Sequence, residues 1–279
     1  MSFHALVRSE RPLVMPGPYD ALSARLIKRA GFKAHIIGGF SVVGARFGVP
    51  DIGLAALGEI SSAVADIVAA CDLPVMVDCD TGYGDVKNTV HTLHTYERMG
   101  VDAMMFEDQV SPKRCGHMAG KDVVPAADMV AKLRALKAEK KAETFILART
   151  DARDVLGLDE AFRRADLYLA AGADGIFIES PHDVAELEMI GKKFDVPQMA
   201  NMLEGGRTPI LKPSDVAELG FEMAVYGISL IMHSVHAMQG VLDKLAQGDM
   251  SFIGKGAGFE EYKSIVGFGD WAAIEDRYR

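Results

Sequence analysis

At 279 residues, 49% of them hydrophobic, the chain is long enough to bury a sizeable core and suits either one (β/α) barrel or two smaller domains. Its net charge of -9, from 39 acidic and 30 basic residues, excludes a general binder of nucleic acid or acidic membranes, and residues 137–141, the nearest approach to a basic run, read as a solvated helix end. Three cysteines, Cys71, Cys79 and Cys115, form no pairing framework, residues 1–12 lack a signal-peptide pattern and no apolar run reaches membrane length, so the expected setting is a reducing cytoplasm.

Short apolar runs then alternate with longer amphipathic stretches from end to end. Residues 13–17 read as a strand, and 19–30 carry helical spacing to a stop at Gly31. A strand over 35–39 leads through a glycine-dotted loop past Pro50-Asp51 to a helix over 58–70. The strand 74–80 turns at Thr81-Gly82-Tyr83-Gly84 into a helix over 86–99, and the strand 103–108 leads through a long loop to a helix over 126–139. The second half repeats the scheme: strands at 145–151, 175–180, 198–202 and 223–229 precede helices at 158–171, 184–194, 214–219 and 231–245.

Eight such units without a linker predict an α/β fold, a (β/α)8 TIM-type barrel over residues 1–250, because nearly continuous apolar strands need helices covering them. A doubly wound open sheet is the rival arrangement. Residues 251–279, with Phe252, Phe259, Tyr262, Ile265, Phe268, Trp271 and Ile274, read as a C-terminal helical extension of the same domain. That much apolar surface needs a partner face, on this subunit or another. The fifteen methionines, many inside strand-like runs, read as core filler.

In a barrel, catalytic groups come from the carboxyl ends of the strands. Polar groups gather there: Asp78 and Asp80 on the third run, Glu107 and Asp108 on the fourth, Arg149 and Asp151 on the fifth, Glu179 on the sixth, Asn201 with Glu204 on the seventh. Burying so many is costly unless something binds them. Asp154 and Asp183 read as a salt bridge or helix cap. Asp78 and Asp80 are two apart and project to one face of a strand. With Glu107 they make an all-oxygen acidic cluster suited to Mg²⁺ or Mn²⁺, whereas zinc would want thiol and imidazole at ligand spacing. Cys79, between the aspartates, is expected to point away into packing.

Arg149 and Asn201 beside such a metal suit a substrate that bears carboxylates. The turn Glu204-Gly205-Gly206-Arg207-Thr208-Pro209 adds exposed amides, the cation of Arg207 and the hydroxyl of Thr208, which would hold a second carboxylate. Lys113-Arg114-Cys115-Gly116-His117 places a thiol among three potential cations, which favour the reactive thiolate, beside a glycine that lets the backbone turn or move. His91 with His94, and His233 with His236, lack the glutamate of a metalloprotease helix and read as ordinary helix residues.

Together, Asp78-Cys79-Asp80-Thr81-Gly82-Tyr83-Gly84, Glu107-Asp108-Gln109, the loop motif just described, Ala148-Arg149-Thr150-Asp151-Ala152 and Ala200-Asn201-Met202-Leu203-Glu204-Gly205-Gly206 resemble the isocitrate lyase and phosphoenolpyruvate mutase superfamily over almost the whole chain. Within it the sequence is most similar to the lyases of 2-methylisocitrate and 2,3-dimethylmalate and to the plant petal death protein. The resemblance implies a barrel whose last helix is exchanged between subunits, a homotetramer of paired dimers, Mg²⁺ in the site and a mobile loop over residues 113–117. It implies that Asp80 holds the metal, with Asp78 and Glu107 supporting it through water. Cys115 would protonate a product carbanion, with Lys113, Gly116 and His117 beside it on the loop. Arg149, Glu179 and Asn201 would contact substrate, Asp51 would lie close by, and Gly38 and Gly39 would offer amides to a carboxylate.

The tricarboxylate lyases of this superfamily have serine where this sequence has Gly38, an aromatic residue, a proposed base, at Ile36, and, in methylisocitrate lyases, histidine at Met105. These departures favour a smaller, more apolar 2-hydroxy acid such as an alkylmalate, in a pocket whose shape depends on side chains such as Phe40, Arg46 and Phe47. The expected reaction is a retro-Claisen cleavage to a 2-oxoacid such as pyruvate and a carboxylate. A phosphonomutase and an oxaloacetate hydrolase or decarboxylase are the alternatives.

Overall fold

A computed structural model describes residues 2–118 and 120–279. Among them eight strands form, all parallel: β1 (Leu13–Pro16), β2 (His35–Ile37), β3 (Val75–Asp78), β4 (Ala103–Glu107), β5 (Phe145–Thr150), β6 (Gly175–Ile178), β7 (Met199–Asn201) and β8 (Met223–Tyr226). One ladder runs β2-β3-β4-β5-β6 and another β1-β8-β7. Ile176 bridges to Gln198 and so joins β6 to the start of β7, and β1 lies beside β2. Neighbours in the sheet are therefore neighbours in sequence all the way round, which is a closed barrel; a doubly wound sheet would reverse its order at a switch point.

Alternation along the strands divides the apolar residues into two cores. Leu13, Met15, Ile36, Met76, Met105, Leu147, Phe177, Met199, Met223 and Val225 point inward and fill the barrel. Ile37, Val77, Cys79, Met104, Phe106, Ile146, Ala148 and Ile178 point outward against the helices, so Cys79 packs as expected. Unbranched methionine suits the interior because its side chain fits the irregular gaps between rings of different size.

The covering helices are α2 (Ala21–Arg29), α3 (Gly39–Phe47), α4 (Leu57–Ala70), α5 (Val86–Arg98), α6 (Ala126–Glu139), α7 (Ala152–Leu156), α8 (Leu158–Ala170), α9 (Val184–Gly191), α10 (Pro213–Glu218) and α11 (Ser229–Ala246). They are preceded by α1 (Phe3–Ser9) and followed by α12 (Phe259–Ile265) and α13 (Phe268–Tyr278). Three of these lie outside the sequence expectation. α1 puts Phe3, Leu6 and Val7 on one face and seats them in the inner core, Phe3 meeting Phe145 with ring centroids 5.5 Å apart, so it stoppers the amino end of the barrel. α3 replaces the expected glycine-dotted loop: its glycines are poor helix formers, but Ser41, Val42 and Val43 are buried, and that burial outweighs propensity. α7 is a single short turn ahead of α8.

The last three helices differ from the rest, for none of α11, α12 and α13 has a buried residue. Trp271 is 71% exposed and Phe259 77%. α12 touches the barrel through α2, where Arg25 Nη1 donates to the Ile265 carbonyl and Arg29 Nη1 to Ser264 Oγ, each at 3.2 Å. Among the described residues no helix is long and apolar enough to cross a membrane.

Candidate active site

The inward alternation that fills the barrel with methionine and leucine continues one step further at the carboxyl end, and there it changes character. Met76 is followed on the same face by Asp78, Met105 by Glu107, Leu147 by Arg149, Phe177 by Glu179, Met199 by Asn201 and Ile36 by Gly38. The second residue of each pair lines a cleft whose floor is apolar, with Ile36, Met105, Phe177, Met199 and Val225, and whose upper wall is charged. Phe40 also lines it, whereas Arg46 turns away to Ser62 and Asp66.

Arg149 is the centre of the charged wall. Its Nε and Nη2 donate to the two oxygens of Asp151 at 2.9 and 3.1 Å, and it also lies 3.4 Å from both Glu107 Oε2 and Glu179 Oε2. Burial works against ionisation of Glu179, but Arg149, with His117 Nε2 close by, outweighs it and brings its carboxyl down to about 2. Glu107 goes the other way. Burial, aided by Asp151 and Asp78, pushes its carboxyl well above the usual range despite Arg149. Asp78 is pushed up to about 6 by burial and the charge of Asp80, and Asp80 itself is raised by burial and Asp51.

Asp80 is held in left-handed backbone, φ 47, and donates its N–H to Asp78 Oδ1 at 3.0 Å. Lys113 reaches down between the acids, 2.9 Å from Asp80 Oδ1 and 2.5 Å from Asp51 Oδ2. Among the described residues no three acidic, imidazole or thiol side chains converge as a ready ligand set. The donor chemistry nevertheless fits a hard cation: the cluster is all oxygen, each of its three carboxylates is raised in pKa, and the buried Glu107 Oε1 has no hydrogen-bond partner among the described residues.

The loop after β4 lies down over these strand ends, and Lys113, Cys115, Gly116 and His117 all line the cleft. Gln109 grips it from below, its amide donating to the Arg114 carbonyl and accepting the Arg114 N–H, both at 2.9 Å. Lys113 is matched to Asp51 and Asp80, and His117 Nε2 turns to Glu179 Oε1 at 3.2 Å. The expected thiolate is therefore corrected. Burial, with the charge of Glu179, pushes the Cys115 thiol up, more than the His117 amide, Arg149 and Lys113 pull it down. At Gly116 a Cβ would come within 2.6 Å of Glu179 Oε2, so glycine lets the loop settle on the Arg149–Glu179 pair.

Gly38 and Gly39 line the cleft at the start of α3, where amides are unpaired within a helix, and a Cβ on Gly39 would crowd Asp51 Oδ2 at 3.1 Å. Asn201 and Asp51 line it too. Arg207 and Thr208 do not. The Arg207 N–H donates to His117 Nδ1 at 3.1 Å and its Nη1 lies 3.2 Å from Asp154, while Thr208 is buried to the side. Asp108, grouped by sequence with the strand-end acids, faces outward and accepts from Thr150, Tyr168, Arg164 and the Asp151 N–H. Ile228 lines the cleft, and Lys121 and Ser180 brace it, without any sequence motif that marks them for those places.

A family model described as phosphoenolpyruvate phosphomutase matches residues 3–246 of this chain. The 2,3-dimethylmalate lyase of Eubacterium barkeri is 36% identical over 98% of this chain and 96% of its own length. The chloroplastic carboxyvinyl-carboxyphosphonate phosphorylmutase of Arabidopsis thaliana is 36% identical over 99% of this chain and 84% of its own. A solved oxaloacetate acetylhydrolase, in complex with the inhibitor 3,3-difluorooxalacetate, superposes with a TM-score of 0.93 at 28% identity, covering 99% of this chain and 95% of that one.

Proposed function

The chain belongs to the phosphoenolpyruvate phosphomutase family, and we propose that it is a metal-dependent carbon-carbon lyase that cleaves a 2-hydroxydicarboxylate of alkylmalate type into a 2-oxoacid such as pyruvate and a carboxylate. The observation that carries this reading is the thiol of Cys115, kept protonated by burial and lowered over a charged wall and an apolar floor. A proton donor to carbon needs the thiol, and the surroundings of Cys115 favour it.

In this reading one substrate carboxylate lies against the amides of Gly38 and Gly39 and another group is clamped by Arg149, with Asn201 alongside. The alkyl groups rest on Ile36, Met105 and Phe177. Transfer of the hydroxyl proton to a carboxylate lining the cleft lets the C2–C3 bond break, leaving a carbonyl on C2 and an electron pair on C3 that spreads into the adjacent carboxylate. Arg149 faces the oxygens on which that charge collects, and fixed charges of this kind are the usual largest contribution to such a step. Cys115 then gives its proton to C3. Glu179, ionised and joined to both Arg149 and His117, keeps the clamp and the loop in register. Ile36 and Gly38 offer no group able to accept the hydroxyl proton.

Asp80 would hold Mg²⁺, with Mn²⁺ as a substitute, and Asp78 and Glu107 would support it through water; when bound, the ion supplies positive charge to the oxygens of the oxoacid product. The uncovered apolar faces of α11, α12 and α13 support a homo-oligomer, a tetramer with the last barrel helix exchanged between subunits. The unpaired cysteines suit a cytoplasmic enzyme.

The test is a product assay with Mg²⁺ over alkylmalates, methylisocitrate, oxaloacetate and phosphonopyruvate. Pyruvate released from an alkylmalate is the expected result. Oxalate and acetate from oxaloacetate, or turnover of phosphonopyruvate alone, would replace this reading with a hydrolase or a phosphonomutase. Cys115→Ser should lower kcat by about a thousandfold while Mg²⁺-dependent binding of oxalate persists. Full activity in that variant removes Cys115 from the reaction.

A further inference from the structure

The carbonyl of Gly116 is held from two sides. Ser180 Oγ donates to it at 2.9 Å, and Lys121 Nζ donates to it as well. Neither donor is placed there by chance of surface geometry. Ser180 is buried and sits in left-handed backbone, φ 60, a conformation that is unfavourable for a residue with a side chain, and its N–H is taken by Glu179 Oε1 at 2.9 Å. The side chain of Lys121 is 2% exposed and lies 3.0 Å from Asp151 Oδ1 and 3.2 Å from Asp154 Oδ2. Asp151 is the same carboxylate that grips Arg149 through both oxygens, so loop and clamp share one anchor.

The geometry of one peptide unit links this anchor to the thiol. A trans peptide is planar, with its C=O and N–H pointing in opposite directions. Drawing the Gly116 carbonyl toward Ser180 and Lys121 turns the His117 N–H the other way, toward Cys115, whose thiol this amide pulls down. The Met118 N–H closes the same turn on the Cys115 carbonyl at 2.9 Å. A lysine that only neutralised Asp151 and Asp154 would have no need to reach the backbone of the loop.

We propose that Lys121 and Ser180 are positioning residues that orient the Gly116–His117 peptide and thereby fix the Cys115 thiol over the cleft. The proposal rests on the reading of Cys115 as the proton donor, but its test does not depend on turnover. The full-length protein is treated with iodoacetamide at constant pH and the modification of each cysteine is followed by mass spectrometry. Cys71 and Cys79, 4% and 0% exposed, report any general loosening of the fold. Lys121→Met should speed alkylation of Cys115 about tenfold with Cys71 and Cys79 still protected, and should lower kcat for the cleaved dicarboxylate by about tenfold or more with KM within about twofold. Lys121→Arg, which keeps the charge and the donors, should restore most of both. Ser180→Ala should change both in the same direction by a smaller factor, and it carries the comparison should Lys121→Met fail to fold. Alkylation of Cys115 at the wild-type rate in these variants overturns the proposal, as does an equal rise at Cys71 and Cys79. If no dicarboxylate is cleaved by the wild-type protein, the lyase reading fails in the product assay, while the alkylation rates still decide whether Lys121 and Ser180 position the thiol.

Discussion

Glu107 and Asp108 are adjacent, equally buried and opposite in role. Asp108 faces the outer layer, where it accepts from Thr150 Oγ1 and Tyr168 OH at 2.7 Å and from Arg164 Nη1 and the Asp151 N–H at 2.9 Å. Glu107 faces the barrel axis, with one oxygen 3.4 Å from Arg149 and the other without a hydrogen-bond partner among the described residues. A buried carboxylate with all its lone pairs satisfied is a strut. One left short of donors, among others of like charge, is a place for something else to bind.

The sharpest way to break this comparison is to remove the strut. Asp108→Ala leaves Arg164 and Tyr168 without their acceptor inside the outer layer and should destabilise the fold by about 3–5 kcal/mol in urea unfolding, most of the activity returning at low temperature. A loss under about 1 kcal/mol would mean that Asp108 is no strut.

His35 tests the outer layer in another way. It is fully buried on the outward face of β2, neither ring nitrogen has a hydrogen-bond partner among the described residues, and burial pulls its pKa down to about 4. The unfolded chain therefore binds a proton that the fold refuses. The stability this group contributes is complete above its unfolded pKa, about 6.5, and is lost as pH falls toward about 4, up to about 3 kcal/mol. Asp78, on the inner face, acts with the opposite sign: pushed up to about 6, it contributes stability below its unfolded value that is lost as pH rises through about 6. Unfolding midpoints of wild type and His35→Leu, measured in EDTA from pH 4 to 7, should diverge on the acid side, with the variant more resistant to acid. Parallel curves would show that His35 charges freely in the fold.

The smallest effect is expected at Glu107. Since burial already disfavours its charged form, Glu107→Gln should leave stability unchanged or raise it by about 1 kcal/mol, while the response of activity to Mg²⁺ weakens. A loss above about 2 kcal/mol would place Glu107 with Asp108 among the struts.

How much of this could be read from the sequence depended on what each feature requires. The barrel was legible because eight alternating units repeat, and Asp78 with Asp80 was legible because a spacing of two on a strand fixes a common face. The opposite facing of Glu107 and Asp108 also follows from strand parity, but which of the two points inward depends on register with β5, where Glu107 pairs with Arg149. The protonation of Cys115 was misread because its neighbours in sequence are cations, whereas the groups that set its state, Glu179 and the surrounding burial, come from elsewhere. α1 escaped notice because seven residues carry too little periodicity to stand out from a mixed terminus. Lys121 was invisible for a simpler reason: nothing in its flanking residues distinguishes it from any surface lysine.

The stopper that α1 forms at the amino end has a kinetic consequence. With the barrel sealed there, the cleft is a blind alley, and whatever enters over the strand ends has to leave by the same route. The segment bearing Cys115 lies across that route. If Cys115 is the acid, as proposed, each round of exchange has to carry it away from the reaction centre and bring it back, so the protein would trade one molecule for the next only by briefly disarming itself.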